Sequence, residues 1–93
     1  MIACDGGRCT LSGPLTIKNA AAVLEDGAVL FNGEATTLDL SGVTEVDSAA
    51  VSLLLEWHRQ AQRRGKRVQF VNLPANLQSL AKLYGVTELL GIV

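Results

Sequence analysis

The side chains of this sequence that could do chemistry are few, and their spacing limits what they could do together. His58 is the only histidine. Asp47 and Ser48 stand side by side just ahead of an apolar run, AAVSLLLEW. A serine nucleophile would need Ser48 and His58 within hydrogen-bond reach. On one helix the roughly ten residues between them, at ~1.5 Å each, set them about 15 Å apart, so no Ser-His pair forms. Cys4 and Cys9 do not make a zinc set with one distant histidine. In a reducing compartment they are expected as two free or partly buried thiols rather than a disulfide. The chain carries no G-x-x-x-x-G-K-[ST] loop and no G-x-G-x-x-G fingerprint, and no G-x-S-x-G elbow. These absences predict a protein that is not an enzyme and that holds no cofactor and no metal.

What remains is the Asp47-Ser48 pair at a predicted helix start. There, unpaired backbone N–H groups and a partial positive charge gather. Asp47 is a natural N-cap residue. The same end attracts anions, including a phosphate carried on a side chain. The two roles are compatible, because a cap also fixes the shape of the loop before it.

The elements that must position this pair follow from composition and pattern. The chain has 93 residues, 48% hydrophobic and 18% charged, an ordinary globular balance for one domain. A net charge of −1 and a pI of about 5.7 argue against a dedicated nucleic-acid binder. The apolar runs are too short to span a membrane. The start, MIACDGGRC, shows no basic region followed by an apolar one, so no signal peptide is expected and the expected location is cytoplasmic.

Residues 1–7 read as a loose leader. Residues 8–12 alternate as an edge strand before the Gly13-Pro14 break. Within 15–31, an alanine-rich centre and the spacing of Ala20, Val23 and Leu24, continued by Leu30 and Phe31, predict a helix that Gly27 weakens. Residues 35–40 read as a strand closed by Ser41-Gly42. A helix runs from the Asp47 cap to Arg64, with Gly65 after it. Residues 67–72 read as a strand with Val68, Phe70 and Asn72 on one face. Pro74 opens a helix over 74–84 with Leu77, Leu80, Ala81 and Tyr84 on one face. The tail, 86–93, is a short strand or a half-turn. Strands alternating with helices predict an α/β layer, and right-handed crossovers make neighbouring strands parallel.

On the central helix Ala50, Val51, Leu53, Leu54, Leu55, Trp57 and Ala61 spread over roughly 200°, wider than the stripe an ordinary surface helix needs. Leu54 and Trp57 are expected inside. Val51 and Leu55, at the edge of the arc, are candidates for contact with a partner. Arg59, Arg63, Arg64, Lys66 and Arg67 crowd the end of this helix. They suit the negative end of its dipole, or alternatively an acidic partner or anionic headgroups.

LDLSGVTEVDSAAVSLL, the basic helix end, the strand RVQFVN and L-x-x-L-A-K-L-Y-G-V together resemble the STAS domain, over about residues 8 to 90. The resemblance implies a single α/β domain over 1–93, a small mixed β-sheet with helices mainly on one face. Many STAS domains are anti-sigma factor antagonists switched by phosphorylation in a D-S-S-G or D-S-T-G loop. Here that loop reads Asp47-Ser48-Ala49-Ala50, and the family's phosphorylated position falls on Ala49, which has no hydroxyl. The usual switch is therefore expected to be absent, with Ser48 the acceptor if there is one.

Within the family the D-S-A loop and Leu80-Ala81-Lys82-Leu83-Tyr84 resemble MlaB-like subunits of Mla-type phospholipid ABC transporters, which maintain outer-membrane lipid asymmetry. That likeness implies a cytoplasmic, non-catalytic subunit, peripheral to the inner membrane, that binds and supports the ATPase subunit alongside its permease. It implies no nucleic acid and no direct membrane insertion. The implied partner-binding residues are Thr44, Asp47, Ser48, Ala49, Val51, Ser52 and Leu55, with Leu24 on the first helix where the family pattern has an aromatic. A small residue at 49 would let a partner helix come close. The alternative is an anti-sigma factor antagonist that partners an anti-sigma factor kinase.

Overall fold

A computed structural model describes residues 2–27 and 37–91. The elements run β1 (Ile2–Asp5), β2 (Arg8–Leu15), α1 (Ala20–Asp26), β3 (Thr37–Val46), α2 (Ser48–Arg63), β4 (Gln69–Val71) and α3 (Ala75–Leu83). The strands form one sheet in the order β1-β2-β3-β4. β2, β3 and β4 are parallel neighbours, as expected, and β1 adds an antiparallel edge.

That edge corrects three expectations. Residues 1–7 are not simply a loose leader, since Ile2–Asp5 pair with Leu11–Arg8. Gly6 turns the hairpin at φ 63°, a conformation that glycine reaches without steric cost. β2 is consequently an inner strand rather than an edge. The hairpin also sets Cys4 opposite Cys9, and the two form a disulfide. The expectation of free thiols fails because a two-residue turn brings positions 4 and 9 into direct cross-strand register, where Cβ atoms come close.

Two further differences have one cause. β2 continues through Gly13-Pro14 and β3 through Ser41-Gly42, where breaks were expected. The ladder between them shifts register at Thr10/Ser12 and again at Gly13/Leu15. Bulges of this kind absorb an extra residue without ending the strand. Gly13, at φ 91°, supplies a backbone angle other residues rarely take. Gly42 lies so close to β2 that an added Cβ would sit 3.0 Å from the Leu11 carbonyl oxygen.

β4 is shorter than the 67–72 expected. Val68 and Phe70 are buried, but Asn72 is exposed and turns out of the strand at φ 56°. α1 is shorter than the 15–31 pattern and gives way at Gly27, packed on the Trp57 indole. Leu30, Phe31 and residues 35–36 lie outside the described residues. α2 and α3 start and stop within a residue of expectation, and Gly65 and Gly85 take positive φ just past them. Leu77 and Ala81 of α3 are buried and Leu80 half-buried, whereas Tyr84 is exposed. Over its described part, 86–91, the tail takes the turn of the two expected alternatives and sets Leu90 into the core.

One face of the sheet carries the core. Cys9, Leu11, Leu38, Leu40 and Phe70 meet Val23, Leu54, Trp57 and Leu77 from the three helices in a single cluster. The alternate positions Arg8, Thr10, Ser12 and Ser41 are exposed on the other face. Helices on one face of a mixed sheet is the α/β arrangement expected.

Candidate functional site

The parallel strands β2 and β3 deliver two chain segments to the same end of the sheet, where Leu15 pairs with Val46. One segment continues into Thr16-Asn19 and α1, the other into Asp47 and α2. Asp47 joins them. Its Oδ1 accepts the Ala49 N–H at 2.9 Å, capping α2, and its Oδ2 accepts the Ile17 N–H at 3.0 Å. The sequence predicts the cap; the second bond, thirty residues back in the chain, is visible only in the structure. Asn19 stiffens the other segment. Its Oδ1 accepts the Thr16 N–H at 2.8 Å, and its side-chain amide donates to the Pro14 carbonyl.

Pinned in this way, α1 and α2 enclose an open groove of about 460 Å³ lined by Ile17, Ala20, Ala21, Leu24, Ser48, Ala49, Ser52, Leu53 and Glu56. Its floor is mostly small or aliphatic. Ile17 stands at the rim with 78% of its surface exposed. A second groove, about 300 Å³, runs down the other flank of α2 between Val51, Leu55, Tyr84 and Val86. Ser48 and Ser52 border both grooves, so the first two turns of α2 form a ridge with an apolar trough on each side. Ser52 Oγ returns to the Ser48 carbonyl at 3.4 Å, leaving the ridge narrow.

The expected site residues distribute accordingly. Ser48 is exposed and Ala49 half-buried at the head of the ridge. Leu24 faces the first groove, half-buried, and Leu55 the second. Val51 is only 3% exposed. It belongs to the core as much as to the second groove, because α2 packs on both the sheet and α3. Thr44 is exposed on β3 but lines neither groove. Ile17, Ala20 and Ala21 line the site and were not among the site residues expected from the sequence. Their signal is the short apolar spacing of α1 together with the turn at residues 16–19 before it. Leu54 and Trp57 are fully buried, as expected. Trp57 Nε1 and His58 Nε2 find no hydrogen-bond partner among the described residues.

A second polar cluster lies at the opposite end of the sheet. Asp39 accepts the Ser41 N–H at 2.8 Å, pairs with Arg8 at 2.6 Å and accepts from the Asn72 amide at 3.1 Å. The Ser41 N–H, then the Arg8 guanidinium, hold its carboxyl well below the ordinary carboxylate range. Its bonds are all to its own sheet and its margins, so it ties β2, β3 and the end of β4 together. Among the described residues no group of histidine, cysteine, aspartate and glutamate could hold a metal ion.

The family model described as "Mlab, STAS domain" matches residues 4–91. The chain belongs to the STAS family. Solved structures agree on the fold of this STAS domain. The anti-sigma factor antagonist SpoIIAA, in its unphosphorylated form, superposes with a TM-score of 0.65 at 17% identity, over 89% of this chain and 81% of that one. A crystal structure of Mglu superposes with a TM-score of 0.59 at 28% identity, over 81% of this chain and 19% of Mglu. The STAS domain thus corresponds to about a fifth of that longer protein. No curated protein matches.

Proposed function

We propose that this STAS domain is a non-catalytic docking subunit that binds the ATPase of an Mla-type phospholipid ABC transport system. Through the ATPase it would associate with the permease and support the system that maintains outer-membrane lipid asymmetry. The observation that supports this reading is the α2 ridge with its two apolar troughs, headed by Ser48-Ala49 and pinned by Asp47. Exposed apolar surface bordered by polar groups suits a protein partner. A narrow ridge of serine and alanine lets a partner helix approach closely. The chain has no phosphate-binding loop, so ATP hydrolysis belongs to the partner. Ala49 at the family's phosphorylated position removes the usual acceptor. The protein would sit on the cytoplasmic side of the inner membrane, held by its partner. Among the described residues no helix is long and apolar enough to cross a membrane.

The test is affinity capture of the tagged protein from its own cells, with captured proteins identified by mass spectrometry. An ABC ATPase with its permease is expected. Ser48→Arg, which sets a long cation on the ridge between the grooves, is expected to abolish capture while moving the midpoint of thermal unfolding little. Capture of a kinase-like anti-sigma factor, with one phosphate gained on Ser48, would replace this reading with that of an anti-sigma factor antagonist.

A further inference from the structure

We propose that Cys4 and Cys9 are a redox modification site whose state decides whether β1 stays on the sheet. Four features of the hairpin carry this. First, the pair is cross-strand, with Cα atoms 4.0 Å apart. So short a separation marks a non-hydrogen-bonded pair of an antiparallel ladder. The flanking pairs Ala3↔Thr10 and Asp5↔Arg8 therefore exchange the backbone hydrogen bonds that hold β1. Second, β1 has little else to hold it. Ala3, Cys4 and Asp5 are exposed, and only Ile2 packs against the core, half-buried. Third, the two sulfurs differ in access, since Cys4 is exposed and Cys9 is fully buried. Fourth, β1 covers β2 only from Arg8 to Leu11, so its departure would open that backbone as a new sheet edge.

The chemistry balances with a dithiol as reductant. One of its thiolates attacks the accessible Cys4 sulfur, the Cys4–Cys9 bond breaks, and Cys9 leaves as a thiolate that takes a proton. The second thiol of the reductant then attacks its own mixed-disulfide sulfur and releases the Cys4 thiol. Two electrons and two protons pass to the cysteine pair, and the dithiol becomes a disulfide. A small-molecule disulfide reverses the sequence. Reduction leaves β1 held by a short, exposed ladder, and short exposed edges open locally at low cost. β2 then carries unpaired N–H and C=O groups between Arg8 and Leu11, the kind of edge to which a further strand can add. This site lies at the far end of β3 from Asp47, so it is independent of the docking face proposed above.

The experiment compares the full chain equilibrated with oxidised and with reduced dithiothreitol. Alkylation by iodoacetamide followed by intact mass is expected to add nothing to the oxidised chain and two groups to the reduced one, Cys4 reacting first. Amide hydrogen exchange is expected to speed up by about tenfold or more at Arg8 and Thr10 on reduction, with Leu38, Leu40 and Leu54 unchanged. Cys4→Ser removes the exposed partner without disturbing the buried one. It is expected to show the fast pattern under both conditions. Two alkyl groups added to the oxidised chain, or exchange at Arg8 and Thr10 that is the same in both states, would overturn the proposal.

Discussion

Asp47 bonds two backbone donors that belong to different elements, the Ala49 N–H of α2 and the Ile17 N–H before α1. A cap alone is worth about 1 kcal/mol, and losing the second acceptor leaves the Ile17 N–H, at the groove rim, without its carboxylate. Asp47→Ala is therefore expected to cost about 1–2 kcal/mol in urea unfolding, whereas Asp47→Asn, which keeps an acceptor, should cost less. Asp39 is the opposite case, a residue whose charge matters to stability. Its carboxyl is lowered from the ordinary 3.8 by the Ser41 N–H, then by Arg8. A lowered folded-state pKa favours the ionised form in the fold. The resulting stability is present above the unfolded carboxylate value and is lost as pH falls through the folded one. The thermal midpoint of the wild-type chain is expected to fall more steeply between about pH 4 and pH 2 than that of Asp39→Asn. Parallel slopes would show that the Asp39 cluster contributes no such linkage.

At the scale of elements, the packing of α1 against α2 sets the width of the main groove, and Gly27, just past α1, packs on Trp57 of α2. An added Cβ at Gly27 would lie 2.2 Å from the Trp57 indole nitrogen, closer than atoms can approach, and Trp57 is fully buried. The indole has nowhere to yield, so Gly27→Ala is expected to destabilise the fold by about 1–3 kcal/mol. A variant as stable as wild type would mean that α1 slides on α2 and that the groove is adjustable. The β2–β3 pair works the other way. Its bulges keep two long parallel strands in one ladder past Gly13-Pro14 and Ser41-Gly42, and so carry Leu15 and Val46 to a common level. Without them the loops at residues 16 and 47 would not meet.

At the scale of the whole molecule, one sheet face is buried under three helices and the proposed docking ridge sits on the helical layer. Because the ridge and its rim are already exposed, changing them need not disturb the core. Ile17→Asp is expected to alter stability by no more than about 0.5 kcal/mol, as for a surface substitution. It is expected to weaken partner capture as strongly as Ser48→Arg. If Ile17→Asp leaves capture intact, the partner uses the second groove, along Leu55 and Tyr84, and the first is not the interface.

The sequence alone determined the elements whose signals are local. Asp47 and Gly65 bracket α2, Pro74 and Gly85 bracket α3, and the motif from Leu38 to Leu54 carries the family. These hold because caps, turns and helical periodicity act over a few residues. The wide apolar arc of α2 correctly placed Leu54 and Trp57 inside. It put Val51 at the edge of the arc, where the residue borders the second groove but is also buried in the core, since periodicity cannot say that α2 has both the sheet and α3 to pack on. What depends on register between distant segments emerges when those segments pack together. The hairpin that pairs Cys4 with Cys9, the bulges that carry β2 and β3 through Gly-Pro and Ser-Gly, and the bond from Asp47 to Ile17 are of this kind. Each is fixed by which backbone lies alongside which, and that pairing is settled when strands pack into one sheet rather than by the residues of either strand alone.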